Sequence, residues 1–383
     1  MSRVLIEESS YETCRNAVDK AFALFPVPLR GKRVAVKVNA LKAGDPDSQA
    51  FVTHHKVLEA VVQKLESLGP AEIMVGDSVG TESYGNSEHV FRATRLREAA
   101  GTYYRNFSKK LEVVQLQAPF ERAVAVLKEV LDADVYVSIP KLKTHGLTML
   151  SGSVKNNFGL LAGAQKSWYH YYSVKPEIFA RIIIEMFRLR PPDLVIMDGI
   201  LAMEGYGPAS PETRWVNKVI ASDDAVALDT VLAKMVGFGI EEVPYLRLAR
   251  ELRLGQTDSK TIEVLGDDSP IQGYHRPTPP EASFSYKAGV GSGKTSIDYY
   301  RQRVAYRPVI SPTVCRHQEG CTACIDICPA KALSAATPLP LCNASRCMLC
   351  SACKEVCDFA ALNYRSDEEV MAALARDPVP TVD

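Results

Sequence analysis

What this chain lacks narrows its possibilities first. Across 383 residues, Lys and Arg together number 45 and so do Asp and Glu, so neither sign of charge is in excess. Without a basic surplus, counterion release cannot drive the whole molecule onto nucleic acid or an anionic membrane surface, and any charge-driven site has to be local. No aromatic patch interleaved with basic residues appears either, which further excludes a nucleic-acid partner. Apolar runs fall short of the ~18 to 20 residues that a membrane-crossing helix needs, and the strongest, 181-RIIIEMF-187, carries charges. The opening MSRVLIEESSYETC has acids where a secretory leader needs a basic start and an apolar core, so no membrane partner is expected and the cytoplasm is the expected location. Cysteine is scarce outside one short segment. Cys14 stands alone and reads as a small buried hydrophobe. What is present is otherwise ordinary: 46% hydrophobic and 23% charged residues suit a soluble globular protein of two or three domains.

The other nine of the ten cysteines lie between Cys315 and Cys357 and form one local site. They read Cys315-x5-Cys321-x2-Cys324-x3-Cys328-Pro329, then Cys342-x4-Cys347-x2-Cys350-x2-Cys353-x3-Cys357. Zinc sites pair C-x2-C units around one tetrahedral ion, and a reducing cytoplasm disfavours disulfides. The spacing resembles that of bacterial ferredoxins, in which the fourth Cys of each run serves the other run's cluster. Carried onto this chain, the crossed pattern implies two 4Fe-4S clusters. Cys315, Cys321, Cys324 and Cys357 would hold the first, and Cys347, Cys350, Cys353 and Cys328 the second. Five residues separate Cys315 from Cys321 where the regular pattern has two, so the spare Cys342 stands as an alternative to Cys315.

Upstream, hydrophobic periodicity predicts strands at 34–39, 72–78, 111–116, 134–140, 193–199 and 218–222. Helices are predicted at 53–68, 87–99, 121–131, 176–190 and 223–236. This alternation implies β-α-β units and an α/β body, a mostly parallel doubly wound sheet over residues 1–265. A Pro, Gly, Ser and Tyr-rich linker or covering arm follows at 266–312. A small α+β ferredoxin-like iron-sulfur domain then occupies 313–366, with a tail at 367–383. The arm contains 288-AGVGSGKT-295, close to a phosphate-binding loop but without the apolar strand before it or apolar helix after it, so it reads as a turn. No G-x-G-x-x-G follows the first strand, which argues against NAD or FAD by that route.

Ligands of open α/β sheets bind beyond the carboxyl ends of the parallel strands. Here those ends are polar: Lys37 and Asn39 at the first, Asp77 and Ser78 at the second, 141-KLKTHG-146 after the strand at 134, and Asp198 at the next. A lysine inside VAVKVN is expensive to bury unless it is paired or functional. The segment from Lys141 to His170 adds Lys143, His145, Lys155, Asn156 and Asn157 with almost no acid, a composition suited to an anionic substrate. A solvated basic loop is the plainer alternative. His145, Asp77 and Asp198 are the candidates for proton transfer, whereas His170 reads as structural.

The stretches 34-VAVKVN-39, 72-EIMVGDS-78, 138-SIPKLKTHGLT-148, 153-SVKNNFG-159, 194-LVIMDGILAMEGYGP-208 and 220-IASDDAVALD-229 resemble, in that order, the domain of unknown function 362 family. Members often carry a C-terminal two-cluster ferredoxin module. The resemblance covers roughly residues 30 to 240 and implies a cytoplasmic iron-sulfur protein with an α/β body. The expected function is an iron-sulfur oxidoreductase that passes single electrons to or from a small anionic substrate or cofactor. The alternative is a non-enzymatic electron carrier or redox sensor whose body docks a partner protein.

Overall fold

The computed structural model describes residues 2–80, 83–117, 120, 122–173, 175–277, 306–343 and 345–366. The glycine-rich 288–295, most of the expected arm and the tail from 367 onward lie outside the described residues. In chain order the body contains β1 (Arg3–Glu8), α1 (Cys14–Leu24), β2 (Arg33–Val38), α2 (His55–Leu68), β3 (Glu72–Gly76), α3 (Ser87–Ala93), α4 (Leu96–Ala100), β4 (Leu111–Gln115), β5 (Ala123–Leu127), α5 (Lys128–Leu131), β6 (Val135–Ile139), β7 (Lys141–His145) and β8 (Met149–Ser151). Then follow α6 (Ser153–Asn156), α7 (Gln165–Tyr172), α8 (Pro176–Leu189), β9 (Leu194–Met203), β10 (Thr213–Ser222), α9 (Ala225–Met235), α10 (Pro244–Glu251) and β11 (Glu263–Leu265).

The main sheet runs β11-β1-β10-β9-β6-β2-β3, with β7 and β8 attached beside β9. It is a mixed α/β sheet, largely parallel, in which β10 runs antiparallel to both neighbours. Period-two alternation sorts its side chains between two helical layers. Val34, Val36, Val38 and Ile196 face a core shared with α1, α2 and α3, whereas Val195, Met197 and Ile220 face one shared with α8, α9 and α10. Burial on both faces explains why the central strands read as continuous apolar runs. From β2 the chain moves outward to β3 and later returns to place β6 on the other side of β2. The carboxyl ends of β2 and β6 therefore flank a topological switch point, where such sheets bind ligands.

Several sequence expectations need correction. Residues 121–131 do not form one helix: Ala123–Leu127 is a strand paired with β4 in a separate two-stranded sheet, and only a single helical turn follows. AVAVL fits period two as well as a helix, and tertiary packing decides, because Val124 and Val126 are buried on one face while Ala125 and Leu127 are buried on the other. The predicted helix at 87–99 breaks at Arg95, which takes a left-handed backbone (φ 58). Domain edges also move. Tyr274 is buried against the body with its hydroxyl on the Met203 carbonyl, so the body extends past 265. Residues Tyr306–Ile310 form β12, which pairs with β15 (Leu362–Ser366) and belongs with the cysteine segment. Within that segment β13 (Leu333–Ser334) pairs with β14 (Leu341–Cys342), and two one-turn helices, Ala323–Asp326 and Ala352–Glu355, each carry a cysteine.

Candidate functional site

Five lysines converge on one cavity at the switch point, with a free volume of about 90 Å³. Lys37 arrives from β2, Lys141 and Lys143 from β7, Lys155 from α6 and Lys166 from α7. Two of the five are matched by carboxylates. Lys37 Nζ lies 2.9 Å from Asp77, and Lys141 Nζ lies 2.7 Å from Asp198. Gly159 makes room for the first pair, since a Cβ there would come within 2.5 Å of Lys37 Nζ. The other three have no carboxylate in salt-bridge range among the described residues. Lys143 donates to the Phe51 carbonyl, Lys166 donates to Ser78 Oγ and the Val79 carbonyl, and Lys155 sits 5.8 Å from the Phe179 ring centroid with no hydrogen bond.

These surroundings reassign the proton chemistry. Asp77 is saturated: besides Lys37 it accepts the N–H groups of Ala40 and Ser78. Asp198 accepts from Lys141, Tyr11, His54 and Ile200 and stands behind the cavity wall. Both carboxylates therefore hold lysines and backbone N–H groups in place around the cavity. His145 does line the cavity, but burial and then the nearby Lys155 push its pKa well below the usual imidazole range, so it is neutral. Its Nδ1 accepts from the Leu147 N–H, which leaves the ring proton on Nε2 as a donor. Burial alone brings the Lys155 ammonium down to about 7, and burial brings Lys166 to the same range despite the opposing pull of Asp77. These two lysines are the groups poised to exchange a proton near neutral pH. Burial likewise lowers Lys143 well below the ordinary lysine value.

Of the remaining sequence candidates, Asn39, Ser78 and Asn156 line the cavity. Asn156 bridges Lys37 Nζ and Ser138 Oγ. Asn157 does not join them: it holds the Tyr136 hydroxyl and the Arg190 carbonyl inside the scaffold. Lys166 and His170 line the cavity but were not among the candidates. Their i, i+4 spacing on α7 puts both on one helix face, a signal obscured because no helix was predicted there. The ion pairs carry a prediction. Asp198→Ala strands a fully buried ammonium and is expected to cost about 3–5 kcal/mol in urea unfolding, whereas Lys141→Met costs less because Asp198 keeps three other donors. Equal costs would show that the pair is not what holds Lys141 charged.

The cysteines sort into two groups. One small cavity of about 40 Å³ is lined by Cys315, Cys321, Cys324 and Cys357. A second, of about 20 Å³, is lined by Cys328, Cys347, Cys350 and Cys353, with Cys342 also on its wall. Cys342 is therefore a neighbour of the second group and not a substitute for Cys315. None of the nine is joined in a disulfide, and Cys14 is buried in the body core as expected.

The second cysteine cavity abuts the body. Cys350 and Ala352 share an apolar cluster with Leu160, Ala162 and Phe107. Glu355 accepts hydrogen bonds from Ser87 and Asn106. Gly163, at φ 58, packs so closely that a Cβ would meet the Cys350 carbonyl at 2.5 Å. The Gly163 N–H donates to Ser78 Oγ, which also receives Lys166 Nζ on the lysine-cavity wall. One layer of residues thus separates the second cysteine group from the lysine cavity.

Comparison with known proteins supplies further context. No helix among the described residues is long and apolar enough to cross a membrane. A thylakoid-associated protein of Synechocystis sp. is 30% identical over 235 residues, which cover 59% of this chain and 70% of that protein. Among solved structures, the lactate racemase apoprotein from Thermoanaerobacterium thermosaccharolyticum matches over 63% of this chain and 58% of its own, at 12% identity and a TM-score of 0.38. A Thermotoga maritima protein matches over 63% and 59%, at 13% identity and 0.37. This chain spans under two thirds of either solved protein. Residues 34–234 match the family described as Domain of unknown function (DUF362). That stretch takes in more than half of the sequence and all five cavity lysines, and the chain belongs to this DUF362 family.

Proposed function

We propose that the chain is an iron-sulfur oxidoreductase that exchanges single electrons with a small anionic substrate held in the lysine cavity. The donor set supports two 4Fe-4S clusters: four thiols line the first cysteine cavity and five the second, and they can be divided in the crossed grouping of bacterial ferredoxins. On this reading Cys315, Cys321, Cys324 and Cys357 hold one cluster and Cys328, Cys347, Cys350 and Cys353 the other, in a ferredoxin-like module. Bound clusters supply one-electron transfer. The chain's own residues do the rest. Lys143, Lys155 and Lys166 hold the anion, the neutral His145 donates a hydrogen bond, and Lys155 or Lys166 exchanges the accompanying proton. The observation that carries the reading is the Cys350–Gly163–Ser78 junction, which sets the second cysteine group against the lysine cavity. Nine closely spaced cysteines read as cluster ligands are suited to a reducing compartment such as the cytoplasm.

A carrier reading has its own support. Phe359, on the wall of the first cysteine cavity, is 47% exposed, and Leu341 elsewhere in the cysteine segment is 63% exposed, apolar surface suited to docking a redox partner protein. One experiment separates the two. Anaerobically purified chain should be brown, hold about eight iron and eight sulfide, and bleach with dithionite. An oxidoreductase, once reduced, is reoxidised by the right small anion, whereas a carrier is reoxidised only by a partner protein. Colourless material with zinc and no sulfide would remove both readings.

A further inference from the structure

The charges around the cavity do not balance, and the imbalance specifies a ligand. Asp77 neutralises Lys37 and Asp198 neutralises Lys141, each within one ion-pair distance. Lys143, Lys155 and Lys166 come from three different elements, and among the described residues their direct contacts are carbonyl, hydroxyl and aromatic groups, with no carboxylate in salt-bridge range. Of these, Lys143 and Lys166 are only 3% and 7% exposed. Stranding one ammonium away from water is costly, and assembling three around a single cavity adds mutual repulsion. With all three protonated, a monoanion would leave two of them uncompensated. The size is bounded as well: at ~10–15 Å³ of such volume per water-sized group, about 90 Å³ admits on the order of six to nine groups.

We infer that the lysine cavity takes a small oxyanion carrying at least two negative charges, of the dicarboxylate or phosphate-ester class, seated on Lys143, Lys155 and Lys166. This deepens the oxidoreductase proposal by naming the substrate class, and it rests on that reading only for the word substrate. The seat itself is a matter of charge and shape. Lys37 and Lys141 shape the wall through their ion pairs and contribute little net field.

The test is calorimetric titration of the full chain, purified anaerobically with its metal content intact, at pH 7. Malonate and sulfate are the dianion probes, one a dicarboxylate and one tetrahedral; acetate and nitrate are the monoanions. Both charges of a dianion act at short range in a partly desolvated site, so at least one dianion should bind about tenfold to hundredfold more tightly than either monoanion. Which dianion wins distinguishes a carboxylate seat from a tetrahedral one. Lys155→Met and Lys166→Met should each collapse most of the preference. Equal affinity for malonate, sulfate and acetate on the unaltered chain would overturn the inference, and so would no measurable binding of either dianion. A preference that survives both substitutions would overturn the assigned seat. Iron and sulfide analysis of the same samples keeps the outcomes distinct. Dianion binding without clusters defeats the oxidoreductase reading alone, and clusters without dianion preference defeat this inference alone.

Discussion

Anaerobically purified Cys357→Ser chain is expected to hold about four iron in place of about eight, and the cluster lost should be that of Cys315, Cys321 and Cys324. In sequence Cys357 closes the second run, so a reading without crossing predicts loss of the other cluster. In space Cys357 lies on the wall of the first cysteine cavity. The surroundings of Cys324 agree, because its thiol is pushed up to about 11 by burial and then by Cys315, Cys321 and Cys357 nearby. Cys350 is pushed up to about 12, mainly by burial, with Cys347 and Cys328 close by. Such crowded thiols shed their protons readily only against a metal, so removing one of four is expected to release the whole group. Cys328→Ser should mirror the result at the second cavity, and Cys342→Ser should lose no iron because four other thiols already stand there. Iron, sulfide and the low-temperature paramagnetic spectrum of the reduced chain read the outcome. Loss of the Cys347, Cys350 and Cys353 cluster from Cys357→Ser, or no loss at all, would reject the crossed assignment.

The contrast between Cys357 and Lys166 shows which parts of this molecule were legible in its sequence. Short fixed intervals between the cysteines made one local site legible, and the structure gathers those thiols around two small cavities, with Cys342 beside the second. The parallel strands were readable for a related reason. VAVKV and LVIMDG are apolar on both faces and marked Lys37 and Asp198, while the ends of EIMVGDS and DVYVSIP marked Asp77 and Lys141. What could not be read was pairing. That Asp77 and Asp198 form ion pairs with Lys37 and Lys141 depends on distances between strands far apart in the chain. Lys166 was missed because QKSWYHYY has little amphipathic pattern of its own and becomes a helix over the cavity only through packing and Gln165, which brackets the N–H and carbonyl of Ala125. The same contact stabilises AVAVL as a strand, so one tertiary interaction underlies both misreadings. Asn157 shows the converse: adjacent to Asn156 in a polar motif, it points into the scaffold, and neighbours in sequence need not share a site.

Unfolding stability is expected to rise with pH between about 7 and 10.5, opposite to the usual alkaline trend, and the buried lysines set the sign. Lys155 and Lys166 take up protons near 10.5 when unfolded but only near 7 when folded. Above 10.5 each is neutral in both states and contributes no difference. As pH falls from 10.5 toward 7 the unfolded chain binds protons that the folded chain refuses, so the native state loses stability; below 7 both states are charged and the penalty stays constant. At ~1.36 kcal/mol per unit the upper bound is about 5 kcal/mol for the buried Lys166, with a smaller contribution from the partly exposed Lys155, where water screens the charge. Urea midpoints at pH 7.5 and 9.5 measure it, and Lys166→Met provides the control, since any alkaline effect on thiols or clusters is common to both chains and cancels in the difference. The substituted chain should be the more stable at pH 7.5 and should show a much flatter rise. A bound dianion should act in the opposite direction: it favours the charged lysines and raises their folded pKa, so saturating malonate is expected to stabilise most at pH 7 and least at pH 9.5, flattening the rise. Parallel curves for the two chains would mean that Lys166 stays protonated throughout, and the charge imbalance assigned to the cavity would then have to be met by an anion already resident there.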